Sequence, residues 1–506
     1  MSLLTEPSNP LPLRDYQQVA IENLRNSLRA GHRRPCLQAP TGAGKTRVAG
    51  EIFRLAREKG HRVVFTVPRI DLIDQTLRSF WRDGIGDIGV IQADHIETDW
   101  SRPVQVASVQ TLQKRGYPAA DLVIVDEAHT VFKFITEWVA HPEWQKVPFI
   151  GLSATPWTKG LGRIYDDLIV VATTAQMIDQ GFLSDFRVFA PTHPDLTGVK
   201  VVAGDYHEGQ LSDAMNKTQL VGDVVQTWQL RAEGRPTLVF AVDRAHAKAL
   251  QKRFEEAGIA AGYQDAYTQK EEREQIRRNF ENGRYQVVCS VATLTMGVDW
   301  DVRCISLVRP TRSRILYTQI VGRGLRTAPG KDHCIILDHS DNTLRLGFVT
   351  DIHQERLDTG DKKAAEERST PLPKECSQCA FLMLARVREC PNCGHVRKAP
   401  ISNIEPGEGQ LVELKRHGRG TLPSSASEIQ IMQRKIPLGS FYAQLRYFAG
   451  EHGYKPGWVQ HRYSEAVGAP PPYGFRMLEP EVSCYEVHSW VKSGLRRYGK
   501  LMRRGG

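Results

Sequence analysis

Short apolar runs alternate with longer amphipathic stretches over roughly the first two thirds of the chain. Between the runs, apolar positions such as Val48, Ile52 and Leu55 ahead of Gly60 indicate crossover helices. Near-continuous apolar strands separated by helices predict parallel sheets covered on both faces. We therefore predict an α/β protein with two tandem doubly wound lobes. The runs of strand length are Pro35–Ala39, Val63–Val67, Val104–Val109, Leu122–Val125, Phe149–Leu152, Leu238–Val242, Gln286–Val291, Cys304–Val308 and Cys334–Leu337.

The same pattern divides the chain into pieces. Ala172–Asp185 is predicted as a helical connector that ends at Gly181, and the charged Leu357–Lys374 segment as a helix fraying into a linker. Pro400–Ser427, rich in Gly, Pro and Ser, predicts a second linker. In chain order we predict lobe 1 at 1–171, lobe 2 at 172–345, a linker at 346–375, a cysteine knuckle at 376–395, a linker at 396–435 and a small, helical C-terminal domain at 436–506.

Composition narrows the classes of protein. With 506 residues, 41% hydrophobic and 25% charged, the chain is too long for one small binding module and too apolar for a mainly disordered protein. No apolar run approaches the ~18 residues of a membrane span. The first residues, with Glu6 and several prolines, do not resemble a signal peptide. We expect a cytoplasmic protein without a membrane partner.

The charge balance points to a polyanionic partner. The formal net charge is +10, and residues 401–506 contribute 15 Lys and Arg against 9 Asp and Glu. A basic bias of this kind favours nucleic acid over an acidic small molecule.

Ala39–Thr46 (APTGAGKT) follows a predicted strand and opens a predicted helix. In that context glycines let backbone N–H groups converge on phosphate oxygens at a helix N-terminus. Lys45 is then placed for the β- and γ-phosphates and the Thr46 hydroxyl for Mg²⁺. A glycine-rich turn without a ligand is the alternative. The predicted phosphate-binding residues are Thr41, Gly42, Ala43, Gly44, Lys45 and Thr46.

Leu122–His129 (LVIVDEAH) is an apolar strand that delivers two carboxylates at its end. In a parallel sheet that end lies beside the phosphate loop. Asp126 is then placed to hold Mg²⁺, and Glu127 to orient and deprotonate the attacking water. A solvated turn is the alternative for an isolated Asp-Glu pair.

Ordered motifs over about Leu13–Ser340 resemble those of superfamily 2 helicases and translocases with a DEAH-type second motif. The resemblance implies two RecA-like lobes and ATP hydrolysis with Mg²⁺. It also implies roles for four further segments of lobe 1. They are adenine recognition by Gln17 within Leu13–Gln17, strand contacts by Val67–Gln75 and by Ser108–Thr111, and coupling of ATP state to strand binding by Ser153–Thr155.

In lobe 2, Thr295–Asp299 resembles the fifth helicase motif and Gln319–Arg326 the sixth. The resemblance implies nucleotide contacts by Gly297 and Asp299. It also places Arg323 and Arg326 across the cleft, where positive charge stabilises the departing γ-phosphate. A basic helix start on a surface is the alternative. Lobe closure on ATP and reopening after hydrolysis would then drive movement along a strand.

Cysteines fall into two classes. Cys376, Cys379, Cys390 and Cys393 form two C-x-x-C pairs whose spacing predicts a structural Zn²⁺ site, with an iron–sulfur cluster or unliganded thiols as alternatives. The others are scattered, which indicates a reducing compartment and no disulfide framework. They are Cys36, Cys289, Cys304, Cys334 and Cys484.

Phe441–Tyr463 holds seven aromatic residues interleaved with cations. Stacking rings beside cations suit single-stranded nucleic acid, whereas the core of a small helical domain accounts for most of them in the alternative interpretation. The tail Lys492–Arg504 is basic and predicts phosphate contacts. Its cations after Lys492 are Arg496, Arg497, Lys500, Arg503 and Arg504.

The order of two helicase lobes, a four-cysteine knuckle and the segment Gly453–Trp458 (GYKPGW) resembles the RadD group of bacterial DNA-repair helicases or a phage-encoded relative. That resemblance implies an ATP-dependent DNA helicase or translocase in repair, recombination or phage replication. The resemblance also implies single-stranded or branched DNA as the substrate and repair or replication proteins as further partners. An RNA-dependent ATPase and an ATP-inert nucleic-acid-binding platform are the alternatives.

Overall fold

The computed structural model describes residues 12–92, 95–202, 204–216, 218–291, 293–295, 299–361, 371–396, 428–432, 434–467 and 471–502. The chain divides into two compact units, Met1–Pro400 and Ile401–Gly506. The predicted nucleotide contact Gly297, the predicted second linker up to 427 and the tail residues Arg503 and Arg504 lie outside the described residues.

Lobe 1 is a seven-stranded parallel sheet with the order β3-β4-β2-β5-β6-β1-β7. This confirms the predicted doubly wound architecture. The strands are β1 (Pro35–Gln38), β2 (Val63–Val67), β3 (Ile88–Ile91), β4 (Val104–Ser108), β5 (Leu122–Asp126), β6 (Phe149–Ser153) and β7 (Asp167–Val170). The helices are α1 (Asp15–Arg29), α2 (Lys45–Arg57), α3 (Ile73–Arg82), α4 (Val109–Arg115) and α5 (Lys133–Ala140).

The apolar strands of lobe 1 are buried because both faces of the sheet are covered. Phe65 of β2 packs with Phe53 and Phe80 from two helices on one face, with ring centroids 4.8 to 5.9 Å apart. Its neighbour Val64 points to the other face and joins a cluster around Trp138. Successive side chains of a strand point to opposite faces of the sheet. When both faces are covered, every position is buried, so the strand does not alternate between apolar and polar residues.

Lobe 2 is a six-stranded parallel sheet with the order β12-β13-β11-β14-β15-β8. Its sheet strands are β8 (Asp185–Phe189), β11 (Thr237–Phe240), β12 (Ala261–Gln264), β13 (Val287–Ser290), β14 (Cys304–Leu307) and β15 (His333–Asp338), and β9 (Val201–Val202) and β10 (Asp205–Tyr206) form a small hairpin. The helices are α6 (Thr174–Asp179), α7 (Glu208–Met215), α8 (Thr218–Arg231), α9 (Arg244–Glu256), α10 (Lys270–Glu281), α11 (Arg314–Gly324) and α12 (Asn342–Leu346). Short 3₁₀ turns occur at Ile70–Leu72, Pro142–Trp144, Leu161–Arg163 and Thr293–Thr295.

The connector between the lobes is shorter than the pattern predicts. Thr173 caps α6 by accepting a hydrogen bond from the Gln176 N–H, and the helix ends at Asp179. Gly181 then adopts a left-handed φ of 71°, which turns the chain out of the helix. Asp185, predicted as the end of the connector, instead opens β8 at the edge of the second sheet.

The charged segment after lobe 2 is not helical in its described parts, 357–361 and 371–374, contrary to the prediction. Gly360 adopts φ 84°, which a helix does not allow. Asp358 instead accepts hydrogen bonds from backbone N–H groups in lobe 1, at Gly162 with 2.8 Å and at Gly160 with 3.3 Å. The bond from Gly162 satisfies the Asp358 carbonyl, which a helix would have bonded within the segment.

The four-cysteine segment packs on the edge of the second sheet. Two short antiparallel strands, β16 (Lys374–Glu375) and β17 (Leu382–Met383), frame it. Phe381 contacts Phe189 of β8 with ring centroids 5.4 Å apart, and the Ala190 N–H donates to the Ala380 carbonyl at 2.9 Å.

The second unit is a small domain of a hairpin and three helices. Its elements are β18 (Glu428–Ile431), β19 (Arg434–Pro437), α13 (Leu438–Glu451), α14 (Pro456–Val467), α15 (Tyr485–Met502) and a 3₁₀ turn at Tyr473–Met477. Phe441, Tyr442 and Tyr463 are buried in its core. The hairpin lies ahead of the domain start predicted at 436. No described helix of the chain is both long enough and apolar enough to cross a membrane.

Candidate functional site

The phosphate loop lies between β1 and α2, at the carboxyl edge of the first sheet. Gly42 and Gly44 adopt left-handed φ values of 92° and 78°. A Cβ on Gly44 would lie 2.6 Å from Gln17 Nε2, and the left-handed φ of Gly44 also disfavours any residue with a side chain. Because Gly44 is the N-cap and has no side chain, the first N–H groups of α2 stay available for phosphate oxygens.

Lys45 and Glu127 meet at this edge. Lys45 Nζ lies 3.3 Å from Glu127 Oε1, with both side chains largely buried. Glu127 follows β5 with φ 48°, an uncommon conformation for a residue with a side chain. Strained backbone of this kind persists where the surroundings hold it, and here it turns Glu127 back toward the phosphate loop.

The two carboxyl groups at the end of β5 are in different electrostatic states. Burial, together with the neighbouring Glu127, raises the pKa of Asp126 to about 7. Burial would also raise the pKa of Glu127, but Lys45, His129 and Arg323 outweigh it and hold that pKa below its usual value. A cation beside Asp126 would remove the cost of its buried charge, so Asp126 fits a site for Mg²⁺.

His129 links the two lobes. Gln319 Nε2 in lobe 2 lies 2.9 Å from His129 Nε2, and His129 Nδ1 lies 3.0 Å from Ser153 Oγ. Burial lowers the pKa of His129, which favours the neutral imidazole. An amide nitrogen only donates, so Nε2 accepts and the proton sits on Nδ1, which donates to Ser153. Ser153 Oγ also accepts from the Thr155 N–H at 3.0 Å.

Two arginines approach the same edge from α11 of lobe 2 and the loop after it. Arg323 is 5% exposed and donates from Nε to the Thr295 carbonyl at 3.0 Å. Burial and the neighbouring Arg326 lower the pKa of Arg323 to about 9, which leaves it charged at neutral pH. Arg326 pairs with Asp299. Lobe 2 therefore brings positive charge to the carboxylates of lobe 1.

A group of rings and amides lies beside the phosphate loop. The side chains of Gln17 and Tyr16 both donate to the Ala43 carbonyl, at 3.0 and 3.1 Å. Phe182 contacts the Tyr16 ring, and the Arg14 guanidinium lies 4.3 Å from the centre of the Phe182 ring. Phe182 and Arg14 both line the cleft. The sequence patterns predicted no individual role for either residue. Phe182 lies between the lobes, outside the regular pattern that marks the sheets.

The cleft has a volume of about 520 Å³. Gln17 and Ala43 are not among its lining residues; they support the loop from behind. Thr41 packs tightly on lobe 2, since a Cβ on Gly322 would lie 3.0 Å from Thr41 Cβ. The predicted site residues that line the cleft are Thr41, Gly42, Gly44, Lys45, Thr46, Asp126, Glu127, Asp299, Arg323 and Arg326.

The predicted strand-contacting segments of lobe 1 adjoin each other. Gln110 Nε2 donates to the Pro68 carbonyl at 2.6 Å, and Ser108 caps α4 by accepting from the Thr111 N–H at 3.2 Å. Arg69 lies next to Pro68 and pairs with Asp71 at 3.1 Å. These contacts bring the two segments to one surface.

The four cysteines of the knuckle are arranged as a metal site. All four sulfur atoms lie within 4.8 Å of one another, with Cys376 to Cys393 and Cys379 to Cys390 each 3.7 Å apart. A tetrahedral site with Zn–S bonds of about 2.3 Å requires sulfurs about 3.8 Å apart. The set therefore fits Zn²⁺, and Asn392 Nδ2 supports it with a contact of 3.4 Å to Cys379 Sγ.

Two family matches cover the lobes. Residues 10–158 match the family described as type III restriction enzyme, res subunit, and residues 216–328 match the helicase conserved C-terminal domain. The matched ranges contain the phosphate loop, both carboxylates and both arginines.

Individual relatives extend the match. A 51.5 kDa protein of a Lactococcus phage is 31% identical over 434 residues, which is 81% of this chain and 91% of that protein. IRC3 of Saccharomyces cerevisiae, named as a candidate ATP-dependent helicase, is 32% identical over 355 residues, or 64% of this chain. The chain spans about half of the yeast protein, 51%.

One solved structure has the same fold. A fragment of a candidate HsdR subunit of a type I restriction enzyme from Vibrio vulnificus superposes with a TM-score of 0.52 at 22% identity. The superposition covers 68% of this chain and 67% of the fragment.

Proposed function

We propose that this chain, which belongs to the superfamily 2 helicases, uses ATP hydrolysis to move along or unwind DNA. The observation that carries the proposal is the convergence at one cleft of Lys45 and Glu127 from lobe 1 with Arg323 from lobe 2. A site built from two lobes responds to its ligand by changing the distance between them, which is what a motor requires.

The site residues divide the work of phosphoryl transfer. Lys45 and the first N–H groups of α2 bind the phosphates, and Thr46 and Asp126 hold Mg²⁺, which neutralises charge on the phosphate oxygens. Glu127, ionised at neutral pH, orients a water and accepts its proton. Arg323 and Arg326 stabilise the charge that develops on the γ-phosphate, and Asp299 positions Arg326.

We assign nucleotide recognition and strand contact from the positions of the predicted segments in lobe 1. We place the base near Arg14 and Phe182, which line the cleft, with Gln17 supporting the phosphate loop from behind. The adjoining segments around Pro68 and Gln110 contact the strand. His129, bonded to Ser153 in its own lobe and to Gln319 in the other, transmits the state of the ATP site to Thr155.

Nucleic acid as the partner rests on the basic net charge, and DNA over RNA rests on the RadD-like order of lobes, knuckle and C-terminal domain. The relative matched over 91% of its length is a phage protein, which favours a role in phage replication, recombination or repair. Single-stranded or branched DNA, zinc in the knuckle, and a cytoplasmic location beside other repair or replication proteins belong to the same proposal.

The experiment is steady-state ATP hydrolysis at fixed salt with no nucleic acid, single-stranded DNA, duplex DNA or RNA of equal length. We expect stimulation by DNA, and loss of turnover in Lys45→Ala and Glu127→Gln with DNA binding retained. Lys59→Ala and Glu58→Gln, exposed at the end of α2, are matched controls. Greater stimulation by RNA than by DNA would show that RNA is the substrate. Undiminished turnover in Lys45→Ala would refute the site, and no hydrolysis by the wild type would leave an ATP-inert platform.

A further inference from the structure

Four aromatic rings of the C-terminal unit lie almost parallel. We call Phe448, His452, Tyr454 and Trp458 the ring stack. Tyr454 and Trp458 are stacked with centroids 4.6 Å apart and planes 8° apart, and Phe448 and His452 with 4.1 Å and 11°. Three further ring pairs are also within 15° of parallel, with centroids 5.9 to 6.5 Å apart.

This arrangement differs from the core of the same unit. Phe441, Tyr442 and Tyr463 meet one another and their neighbours edge-on or tilted, as aromatic rings in protein cores do. They are also buried, at 3% exposure or less. Those three rings therefore belong to the core of the unit, as one of the two interpretations predicted. Core packing does not explain the parallel arrangement of the ring stack.

Local backbone contacts hold the rings in place. Gly453, with φ 69°, reverses the chain after α13, and the Tyr454 N–H donates to the Ala449 carbonyl at 2.9 Å. His452 Nδ1 lies 3.0 Å from the Phe448 carbonyl oxygen, which fixes the imidazole ring. Rings held this way lose little conformational entropy when a further ring joins them.

The ring stack is buried on one side and exposed on the other. Phe448 is 1% exposed and belongs to the core, whereas His452 is exposed and Tyr454 is 37% exposed. Lys455 follows Tyr454 in the chain and is exposed, and the buried Arg462 lies 5.8 Å from the centre of the Trp458 ring. A flat aromatic surface next to exposed positive charge matches an unpaired nucleotide, which has a flat base and an anionic phosphate.

We propose that the ring stack is a second nucleic-acid site, which binds single-stranded DNA by stacking an unpaired base on Tyr454 while Lys455 contacts a neighbouring phosphate. Bases in a duplex are already stacked, so the site selects single strands. The site needs no nucleotide in the cleft. It would hold the C-terminal unit on a single strand throughout the ATP cycle of the lobes.

The test measures binding of fluorescent oligo(dT) to the full chain without ATP. We expect Tyr454→Ala to weaken binding about tenfold, because stacking on one ring is worth about 1–3 kcal/mol per base. Tyr454→Phe keeps the ring and should bind as the wild type does. Tyr485→Ala is the matched control, since Tyr485 is 76% exposed in the same unit and outside the ring stack.

Further measurements distinguish the loss of this site from a loss of folding and from a loss of motor activity. Tyr454→Ala should keep the thermal unfolding temperature and the basal ATPase rate of the wild type, and blunt duplex DNA should bind both proteins equally. Unchanged oligo(dT) binding by Tyr454→Ala, or an equal loss in Tyr485→Ala, would overturn the proposal and point to a protein-docking surface. The inference adds to the proposed motor. Because this assay contains no ATP, failure of DNA-stimulated hydrolysis would leave its result unchanged.

Discussion

Gln319 in lobe 2 donates a hydrogen bond to Nε2 of His129 in lobe 1 over 2.9 Å, beside the cleft that Glu127 lines. The bond joins the turn after β5, which carries Glu127, to α11, the helix that carries Arg323. It can form only when the lobes lie this close together, so it reports and stabilises the closed arrangement.

Replacing Gln319 with Ala removes that bond and leaves a buried imidazole acceptor without its donor. A lost buried hydrogen bond costs about 1–3 kcal/mol. We expect the DNA-stimulated ATPase rate of Gln319→Ala to fall about tenfold or more while nucleotide binding changes little, since Gln319 does not line the cleft. Stopped-flow nucleotide binding and steady-state turnover check this, and Gln275→Ala, on the exposed face of α10, is the control. Equal losses of binding and turnover would contradict the assigned role.

A charge pair at the rim also crosses between the lobes. Lys270 of α10 donates to Asp74 of α3 at 2.9 Å, and this hydrogen bond, together with one from His95, lowers the pKa of the Asp74 carboxyl. Lys270 is 82% exposed, so the pair should be worth at most about 1 kcal/mol and should weaken with salt.

We expect Lys270→Glu to slow DNA-stimulated hydrolysis by about two- to fivefold at low salt, in line with a pair of that strength, and the double variant Asp74→Lys/Lys270→Glu to recover part of the loss. Lys252→Glu makes the same change of net charge, but its partner Glu256 lies on the same helix. Turnover measured from low to high salt is the readout. A loss that persists at high salt, or no recovery in the double variant, would rule out an electrostatic contact between the lobes.

Much of the architecture could be predicted because periodicity and motif order are local signals. Strand β2 was predicted residue for residue from its apolar run and the polar and turn residues that bound it. Strands β3, β7 and β12 were missed, and each has four residues and lies at a sheet edge. Strand β8 was missed because its first three residues, Asp185, Phe186 and Arg187, are not buried.

The site was predictable as a set of residues but not as a geometry. Motif order does not say that Gln17 supports the loop from behind through Ala43, or that Arg326 pairs with Asp299, because side-chain contacts over long separations leave no periodic trace. The same limit applies to the ring stack. Seven aromatic residues within Phe441–Tyr463 allow a core or a stacking surface, and only their burial and ring angles separate the two.

Removing zinc should loosen lobe 2, because the knuckle packs on β8 through Phe381 and Ala380. We expect Cys390→Ser, or treatment with a strong chelator, to lower the unfolding temperature of the large unit by several degrees and to weaken nucleic-acid binding more than ATP binding. Cys484→Ser, in the other unit, is the matched control. Elemental analysis should give about one zinc per chain in the wild type. A much lower value, or iron in its place, would refute the zinc site.

Two buried histidines should make lobe 2 sensitive to mild acid. Burial lowers the pKa of His246 to about 4 and that of His339 to about 3. In the unfolded chain each histidine takes up a proton near its ordinary pKa of 6.5, so the unfolded state binds more protons as the pH falls below that value. Stability is therefore fully present above about pH 6.5 and is lost between that value and the lower pKa of the folded state.

From pH 7 to pH 5 the loss should be about 2 kcal/mol for each of these histidines, from a slope of about 1.4 kcal/mol per proton and pH unit. Asp126, whose pKa is raised to about 7, contributes the opposite change over this range, so the readout is the difference between variants in thermal unfolding. Between pH 7 and pH 5, His339→Gln, which has no proton to bind, should show a fall in stability about 2 kcal/mol smaller than that of the wild type, even if it lowers stability at pH 7. His61→Gln, on the surface of lobe 1, should leave the fall unchanged. If His339→Gln kept the full pH dependence, the buried imidazole would not be its source.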